Sequence, residues 1–269
     1  MGASAALSRA HVVRPAAAVT TAIDVTNLRV RYRRSGADAL CGLNLHVAHG
    51  QTVALIGTNG AGKSTLLRCL VRLIEPAEGS IAIGSTDVTA LSRGRLRAVR
   101  RDVGFVFQRF HLIPRLTAFH NVVHGAMGRR GTRCAWPLTS PGDVRAEAMD
   151  CLNRVGLSAF ADRRVDSLSG GQQQRVAIAR MLMQRPAVIL ADEPVASLDP
   201  ASAQAVMELL CSIAAERGVT VIMALHQIEL ALRYADRVIG LRNGVVDFDR
   251  PAAECDAEQL NPIFAEVTS

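Results

Sequence analysis

Nine consecutive residues, Gly57, Thr58, Asn59, Gly60, Ala61, Gly62, Lys63, Ser64 and Thr65, have the types and spacing to hold a phosphate. Their pattern is Gly57, four residues, then Gly62, Lys63 and Ser64, which is that of a P-loop. Such a loop turns successive backbone N–H groups into a concave anion site, so it needs glycine where the main chain bends sharply or a phosphate comes close. The positive end of a helix starting near Lys63 adds to the attraction. In this chemistry Lys63 bridges the β- and γ-phosphates and the Ser64 hydroxyl ligates Mg²⁺. Lys63 is also the one lysine in a chain whose Lys and Arg together number 31.

A second group lies downstream, where the apolar run Val188 to Ala191 leads straight into Asp192 and Glu193. A buried strand that delivers two carboxylates at its carboxyl end is what Mg²⁺ chemistry on an open α/β sheet requires. Asp192 is placed to hold the Mg²⁺ shell, and Glu193 to act as general base on an attacking water. Between the two groups stands LSGGQQQ, Leu168 to Gln174, opening a helix with apolar residues at Val176, Ile178, Ala179 and Leu182. Ser169, Gly170 and Gly171 at its N-terminus make a second anion site, since a plain capped helix needs the serine but not both glycines.

The elements that must position these groups can be read from periodicity. Apolar alternation over Ile23 to Val30 and Ala39 to Val47 predicts two antiparallel strands, followed by the P-loop strand, Thr52 to Ile56. The Lys63 helix is expected to reach about Leu73, before Pro76, with a short strand at Ser80 to Ile83. Leu91 to Arg100 reads as a helix whose arginines, at 93, 95, 97, 100 and 101, form a solvated face, and Val103 to Phe107 as a buried strand. From about 108 to 167 the strand signals vanish, and helical patterns at Ala118 to Met127 and Val144 to Val155 suggest an inserted helical subdomain. Strands at Val188 to Ala191 and Val219 to Ala224, each preceded by a helix, restore the βαβ rhythm of a parallel sheet. Arg237 to Leu241 and Val245 to Phe248, joined at Asn243-Gly244, make a closing hairpin.

Composition sets outer bounds. A length of 269 residues with 49% hydrophobic content suffices for one large or two small domains, and the 4% aromatic share leaves the core to aliphatic side chains. The net charge of +7 admits a nucleic-acid or an anionic-membrane partner and does not choose between them. Six scattered cysteines without a CxxC pair read as reduced thiols of a cytosolic protein. His120 and His124 stand one helical turn apart, but no third ligand accompanies them, so they are read as surface or interface residues. Residues 1–21 are alanine-rich and interrupted by Arg14 and Pro15, as in a disordered tail rather than a signal peptide. No window has the ~18 uninterrupted apolar residues of a membrane helix.

Taken in order, GTNGAGKST, LSGGQQQ and ADEP make the chain similar to the nucleotide-binding subunits of ABC transporters from about Ile23 to Arg250. The resemblance implies a P-loop NTPase of α/β class: a RecA-like parallel-sheet core with N-terminal antiparallel strands and the inserted helical subdomain, as a domain over 22–250 with a short extension at 251–269. It implies ATP and Mg²⁺ as the bound species. By the same resemblance Tyr32 stacks on adenine, and Gln108 touches Mg²⁺ and the attacking water. Asp199 in SLDP corresponds to the D-loop aspartate, and His226 in MALHQ to the switch histidine on the γ-phosphate. In this family the signature of one subunit covers the P-loop of a second copy, so Ser169 to Gly171 are expected to act in trans. The spans missing here are then supplied by separate permease subunits, with a solute-binding protein outside. That puts the chain at the cytoplasmic face of the cell (inner) membrane as a peripheral protein, with no nucleic-acid partner.

Closer likeness is to the ATP-binding subunits of phosphonate importers. It rests on ADEPVASLDP with Val195 and Ala196, on FHLIPRLTAFHNVVHG, on the loop carrying Trp136, and on LHQIELALRYADRVIGLRNGVV. Pro114 and His124 depart from that pattern, where glycine and leucine are expected. Import of phosphite, phosphate or a polar amino acid is the alternative, and a non-transport ABC ATPase of DNA repair a more distant one. Such repair proteins carry coiled-coil insertions or fused cassettes, which this chain lacks, and a P-loop kinase or GTPase lacks LSGGQQQ.

Overall fold

The computed structural model describes residues 21–32, 36–136 and 140–260. In chain order come β1 (Thr21–Arg31), β2 (Asp38–Ala48), β3 (Thr52–Ile56), α1 (Lys63–Leu70), β4 (Glu78–Ile83), β5 (Thr86–Asp87), α2 (Arg93–Asp102) and β6 (Val103–Val106). The helices α3 (Ala118–Val123), α4 (Met127–Arg130), α5 (Gly142–Arg154) and α6 (Gly170–Met183) follow. The chain then runs through β7 (Val188–Asp192), α7 (Pro200–Arg217), β8 (Thr220–Ala224), α8 (Ile228–Tyr234), β9 (Arg237–Arg242), β10 (Val245–Pro251) and α9 (Ala257–Leu260).

These strands form two sheets, an antiparallel one ordered β2-β1-β4-β5 and a six-stranded one ordered β10-β9-β3-β8-β7-β6. The second is parallel except for β10, which pairs antiparallel with β9. Its central strands are buried on both faces, which is why they read as continuous apolar runs. Val53 and Leu55 of β3, Leu190 of β7 and Ile222 of β8 face a core shared with α1 and the antiparallel sheet. Ala54 and Ile56, Ile189 and Ala191, and Val221 and Met223 face the opposite core. That second core is continuous with Val122 of α3, Val144 and Leu152 of α5 and Ile178 of α6, so the helices after β6 pack as one body with the sheet. Each fully buried Leu or Ile contributes roughly 1.5–3 kcal/mol to this arrangement.

Several boundaries differ from the sequence reading. The P-loop helix stops at Leu70, short of Leu73, because Arg72 takes a left-handed φ of 49°. Its guanidinium is drawn to the carbonyls of Val88 (3.1 Å) and Leu91 (2.7 Å), which turns the chain out of the helix. The next strand begins at Glu78 rather than Ser80, and the last extends to Pro251 rather than Phe248. Thr21, assigned to the tail, opens β1 and pairs with Ala48; the remainder of that tail lies outside the described residues. Of the 251–269 extension, the described part is a 3-10 turn at Ala252–Glu254 and α9. All six cysteines are free. Burial pushes the Cys69 thiol up to about 12 and Cys151 to about 11. Among the described residues no helix is long and apolar enough to cross a membrane.

Candidate active site at the carboxyl edge of the parallel sheet

Parallel register brings the ends of four strands to one level. Ala224 of β8 pairs with both Leu55 of β3 and Asp192 of β7, while Ala191 pairs with Val106 of β6. The segments leaving those strands therefore meet outside the carboxyl edge, where open α/β sheets bind ligands. They carry the P-loop after β3, Glu193 after β7, His226 after β8 and Gln108 after β6.

Backbone geometry explains two of the P-loop glycines. Gly57 has φ 146°, and a Cβ there would lie 2.3 Å from the carbonyl of Leu241. Gly62 has φ 105°, and its Cβ would fall 2.8 Å from the carbonyl of Ala39. Gly62 is also the N-cap of α1, so Lys63, Ser64 and Thr65 form its first turn. Lys63 is 4% exposed, and its ammonium donates to the carbonyls of Gly57 (2.7 Å) and Thr58 (3.0 Å). Burial holds its pKa below the usual lysine value, and the carboxylates of Glu193 and Asp192 oppose that shift in part. A cavity of about 310 Å³ opens over this turn, lined by Asn59 to Thr65 and by Tyr32, Asp38 and Glu193. Tyr32, 40% exposed, shares a 3.0 Å hydrogen bond between its hydroxyl and that of Thr65. Tyr32 therefore stands at the edge of the cavity.

Glu193 follows the last residue of β7 with φ 51°, a left-handed conformation that costs a non-glycine residue of order 1 kcal/mol or more and recurs at functional sites. Gln108 Nε2 donates to its Oε2 at 2.6 Å, and His226 Nε2 lies 2.5 Å from its Oε1. One carboxylate at the lip of the cavity is thus held from both sides by residues the sequence had placed far apart. The arrangement can orient a water for attack on a phosphate seated in the P-loop and accept its proton.

The Ser64 hydroxyl donates to Asp192 Oδ1 at 2.6 Å. Two oxygens converging from the P-loop helix and from β7 fit Mg²⁺, which takes one or two protein oxygens and leaves its other positions to water and phosphate. Gln108 is turned to Glu193 and not to this oxygen pair. Among the described residues no group of three or more His, Cys, Asp and Glu offers an all-protein cage. His120 is engaged instead with the Thr117 hydroxyl, at 2.8 Å.

Ser169, Gly170, Gly171 and Asp199 do not line the cavity. Ser169 caps α6 through a capping box with Gln172, and Asp199 caps α7 by accepting from the Ser202 N–H at 3.0 Å. The two glycines have different reasons. A Cβ at Gly170 would meet open space, whereas at Gly171 it would press to 3.1 Å on the Ser202 hydroxyl, so Gly171 lets the α6 and α7 N-termini lie together. Both Ser169 and Asp199 are exposed, forming an outward-facing pair of helix ends.

Arg68, which none of the sequence motifs marks, stands one helical turn after Ser64. Its Nη2 donates to Asp192 Oδ2 at 3.0 Å. The clue available was the i,i+4 spacing on a helix that faces a carboxylate.

Comparison with known proteins places the fold and the order of motifs in a family. The family model for ABC transporters matches residues 40–196. A phosphonates import ATP-binding protein from Nocardia farcinica is 49% identical over 264 residues, covering 97% of this chain and 94% of the relative. A phosphate-import ATP-binding protein from Mycolicibacterium smegmatis is also 49% identical, over 229 residues, with coverage of 85% and 87%. Among solved structures, a dimeric ATP-binding cassette in a post-hydrolysis state bound to ADP and Pi has TM-score 0.77 and 37% identity, covering 86% of this chain and 98% of its own. The cassette cbiO1 of a Clostridium perfringens ABC transporter complex has TM-score 0.78 and 31% identity, with coverage of 89% and 92%. With its P-loop NTPase fold and the ordered motifs mounted on it, the chain belongs to the family of ABC transporter ATP-binding subunits.

Proposed function

We propose that this chain is the ATP-hydrolysing subunit of an importer and energises uptake of phosphonate, or phosphite, through separate membrane subunits. The observation that carries the ATPase reading is Glu193, fixed by Gln108 and His226 at the lip of the cavity that holds Lys63 and Ser64. In this mechanism the P-loop N–H groups and Lys63 hold the β- and γ-phosphates and Tyr32 stacks on adenine. Ser64 and Asp192 seat Mg²⁺, which when bound offsets charge on the phosphate oxygens. Glu193 takes a proton from water as the water oxygen attacks the γ-phosphorus; the bond from that phosphorus to the β,γ-bridging oxygen breaks, leaving ADP and phosphate. Gln108 and His226 orient Glu193 and register whether a γ-phosphate is present.

Ser169 to Gly171 and Asp199 serve the site of a second copy. They lie outside the chain's own cavity and present exposed helix N-termini, suited to an anion on a facing chain. The resemblance to a cassette solved as a dimer supports this sandwich. Permease subunits provide the membrane path and a solute-binding protein the capture, with this chain peripheral on the cytoplasmic face.

Phosphonate as the solute is supported by the Nocardia farcinica relative. Phosphate is the second reading, favoured by the equally identical Mycolicibacterium smegmatis relative. Reconstitution with the neighbouring permease and binding-protein genes, followed by ATPase assays with phosphonate, phosphite, phosphate and amino acids, separates them. Stimulation by phosphonate or phosphite is expected; stimulation by phosphate alone moves the assignment to phosphate.

A further inference from the structure

Asp192 is gripped by two successive turns of α1. The Ser64 hydroxyl donates to Oδ1 at 2.6 Å and Arg68 Nη2 to Oδ2 at 3.0 Å, so each carboxylate oxygen has its own partner. Ser64 and Arg68 stand four residues apart and share a face of the helix. The Asp192 side chain is 1% exposed while that of Arg68 is 40% exposed. A buried carboxylate needs a counter-charge. The other cation nearby, Lys63, spends its hydrogen bonds on the carbonyls of Gly57 and Thr58. Arg68 is therefore the cation in hydrogen-bond contact with this carboxylate among the described residues.

The division of the two oxygens matters, because the one Arg68 leaves free is the one turned to Ser64. We propose that Arg68 is a positioning residue for the divalent cation: by holding Oδ2 it keeps Oδ1 aimed at the Ser64 hydroxyl, so that the two oxygens of the Mg²⁺ seat are prearranged. The proposal rests on the assignment of Ser64 and Asp192 to Mg²⁺. Without Arg68 the carboxylate loses its direct counter-charge and one of the two contacts that constrain its terminal torsion, whose intrinsic preference is broad, leaving it held through Oδ1 by Ser64. Nucleotide contacts through the P-loop backbone and Lys63 are untouched, so cation binding should weaken and metal-free nucleotide binding should not.

The test uses Mn²⁺ as an electron-paramagnetic probe with ATP, alongside ATP titration in EDTA. Arg68→Met should weaken Mn²⁺ binding ~10-fold or more, the effect typical of removing a group that orients a metal ligand. ATP affinity in EDTA should stay within about twofold of wild type, and Arg68→Lys, which keeps the charge, should recover most of the Mn²⁺ affinity. In an Asp192→Asn background the same Arg68→Met change should have little further effect, since its target is gone. Unchanged Mn²⁺ affinity in Arg68→Met overturns the proposal, as does an equal loss of ATP binding in EDTA, which marks a general disturbance of α1. Should Arg68→Met not fold, Arg68→Gln, which removes the charge and keeps an amide, must show the Mn²⁺ loss for the proposal to stand. If wild type neither binds Mn²⁺ with ATP nor hydrolyses ATP, the proposed function itself fails; if it does both and the variants match it, only the role of Arg68 fails.

Discussion

Lys63 sits in its loop under opposing pressures: burial disfavours its charge, and the carboxylates of Glu193 and Asp192 partly restore it. Its pKa in the nucleotide-free chain lies below the ordinary 10.5 as a result. Phosphates arriving beside it favour the charged form and raise that pKa, so binding takes up a proton at any pH between the two values. ATP affinity should therefore fall as pH rises through the nucleotide-free pKa, with proton uptake growing in parallel. Calorimetry in buffers of different ionisation heat, carried into the alkaline range where ATP itself no longer titrates, measures this directly. Proton uptake that stays flat across that range contradicts it. Glu193 poses a different problem at the same scale: its two oxygens are taken by Gln108 and His226, so an attacking water must share an oxygen with one of them or displace it.

Among the elements, the β9–β10 turn does more than close a hairpin. Gly244, at φ 77°, lies against Ala39 and Leu40, its carbonyl accepts from the Cys41 N–H at 2.9 Å, and its N–H donates to Ala61 in the P-loop at 3.2 Å. Gly244→Ala would put a Cβ 2.7 Å from the Ala39 carbonyl. It should cost about 1–3 kcal/mol of stability and weaken nucleotide binding, because the turn buttresses the loop. Thermal melts with and without ATP check both; an unchanged melting temperature contradicts the buttress. The hairpin itself was legible from Asn243-Gly244 between apolar runs, and β3, β7 and β8 from their unbroken apolar composition. Its contact with the P-loop was not, since no local pattern tells which distant loop a turn will touch. The stop of α1 at Leu70 was hidden for the same reason, as carbonyls of Val88 and Leu91 hold Arg72 in its left-handed turn. Ser64 and Asp192 could be named from their motifs. Gln108 and His226 came from family resemblance, because nothing in the spacing of 85 and 33 residues from Glu193 announces that they meet at one carboxylate.

In the whole molecule the parallel sheet gathers the P-loop, Gln108, Glu193 and His226 at its carboxyl edge, while the exposed α6 and α7 N-termini lie outside the P-loop cavity. If the two groups meet across two copies, mixing Lys63→Ala chains with Ser169→Ala chains regenerates one site in which both motifs are intact. ATP turnover should then reappear in the mixture although each variant alone is inactive; no recovery in a verified heterodimer contradicts the trans arrangement. Beneath that assembly lies the simpler claim that this chain hydrolyses ATP with Glu193 as its base. Glu193→Gln, assayed for ATP binding, sedimentation and steady-state turnover in the same preparation, tests it most directly. ATP binding should persist, a nucleotide-bound dimer should accumulate, and turnover should fall ~10²-fold or more because the proton acceptor is gone; turnover at the wild-type rate would mean that Glu193 is not the base.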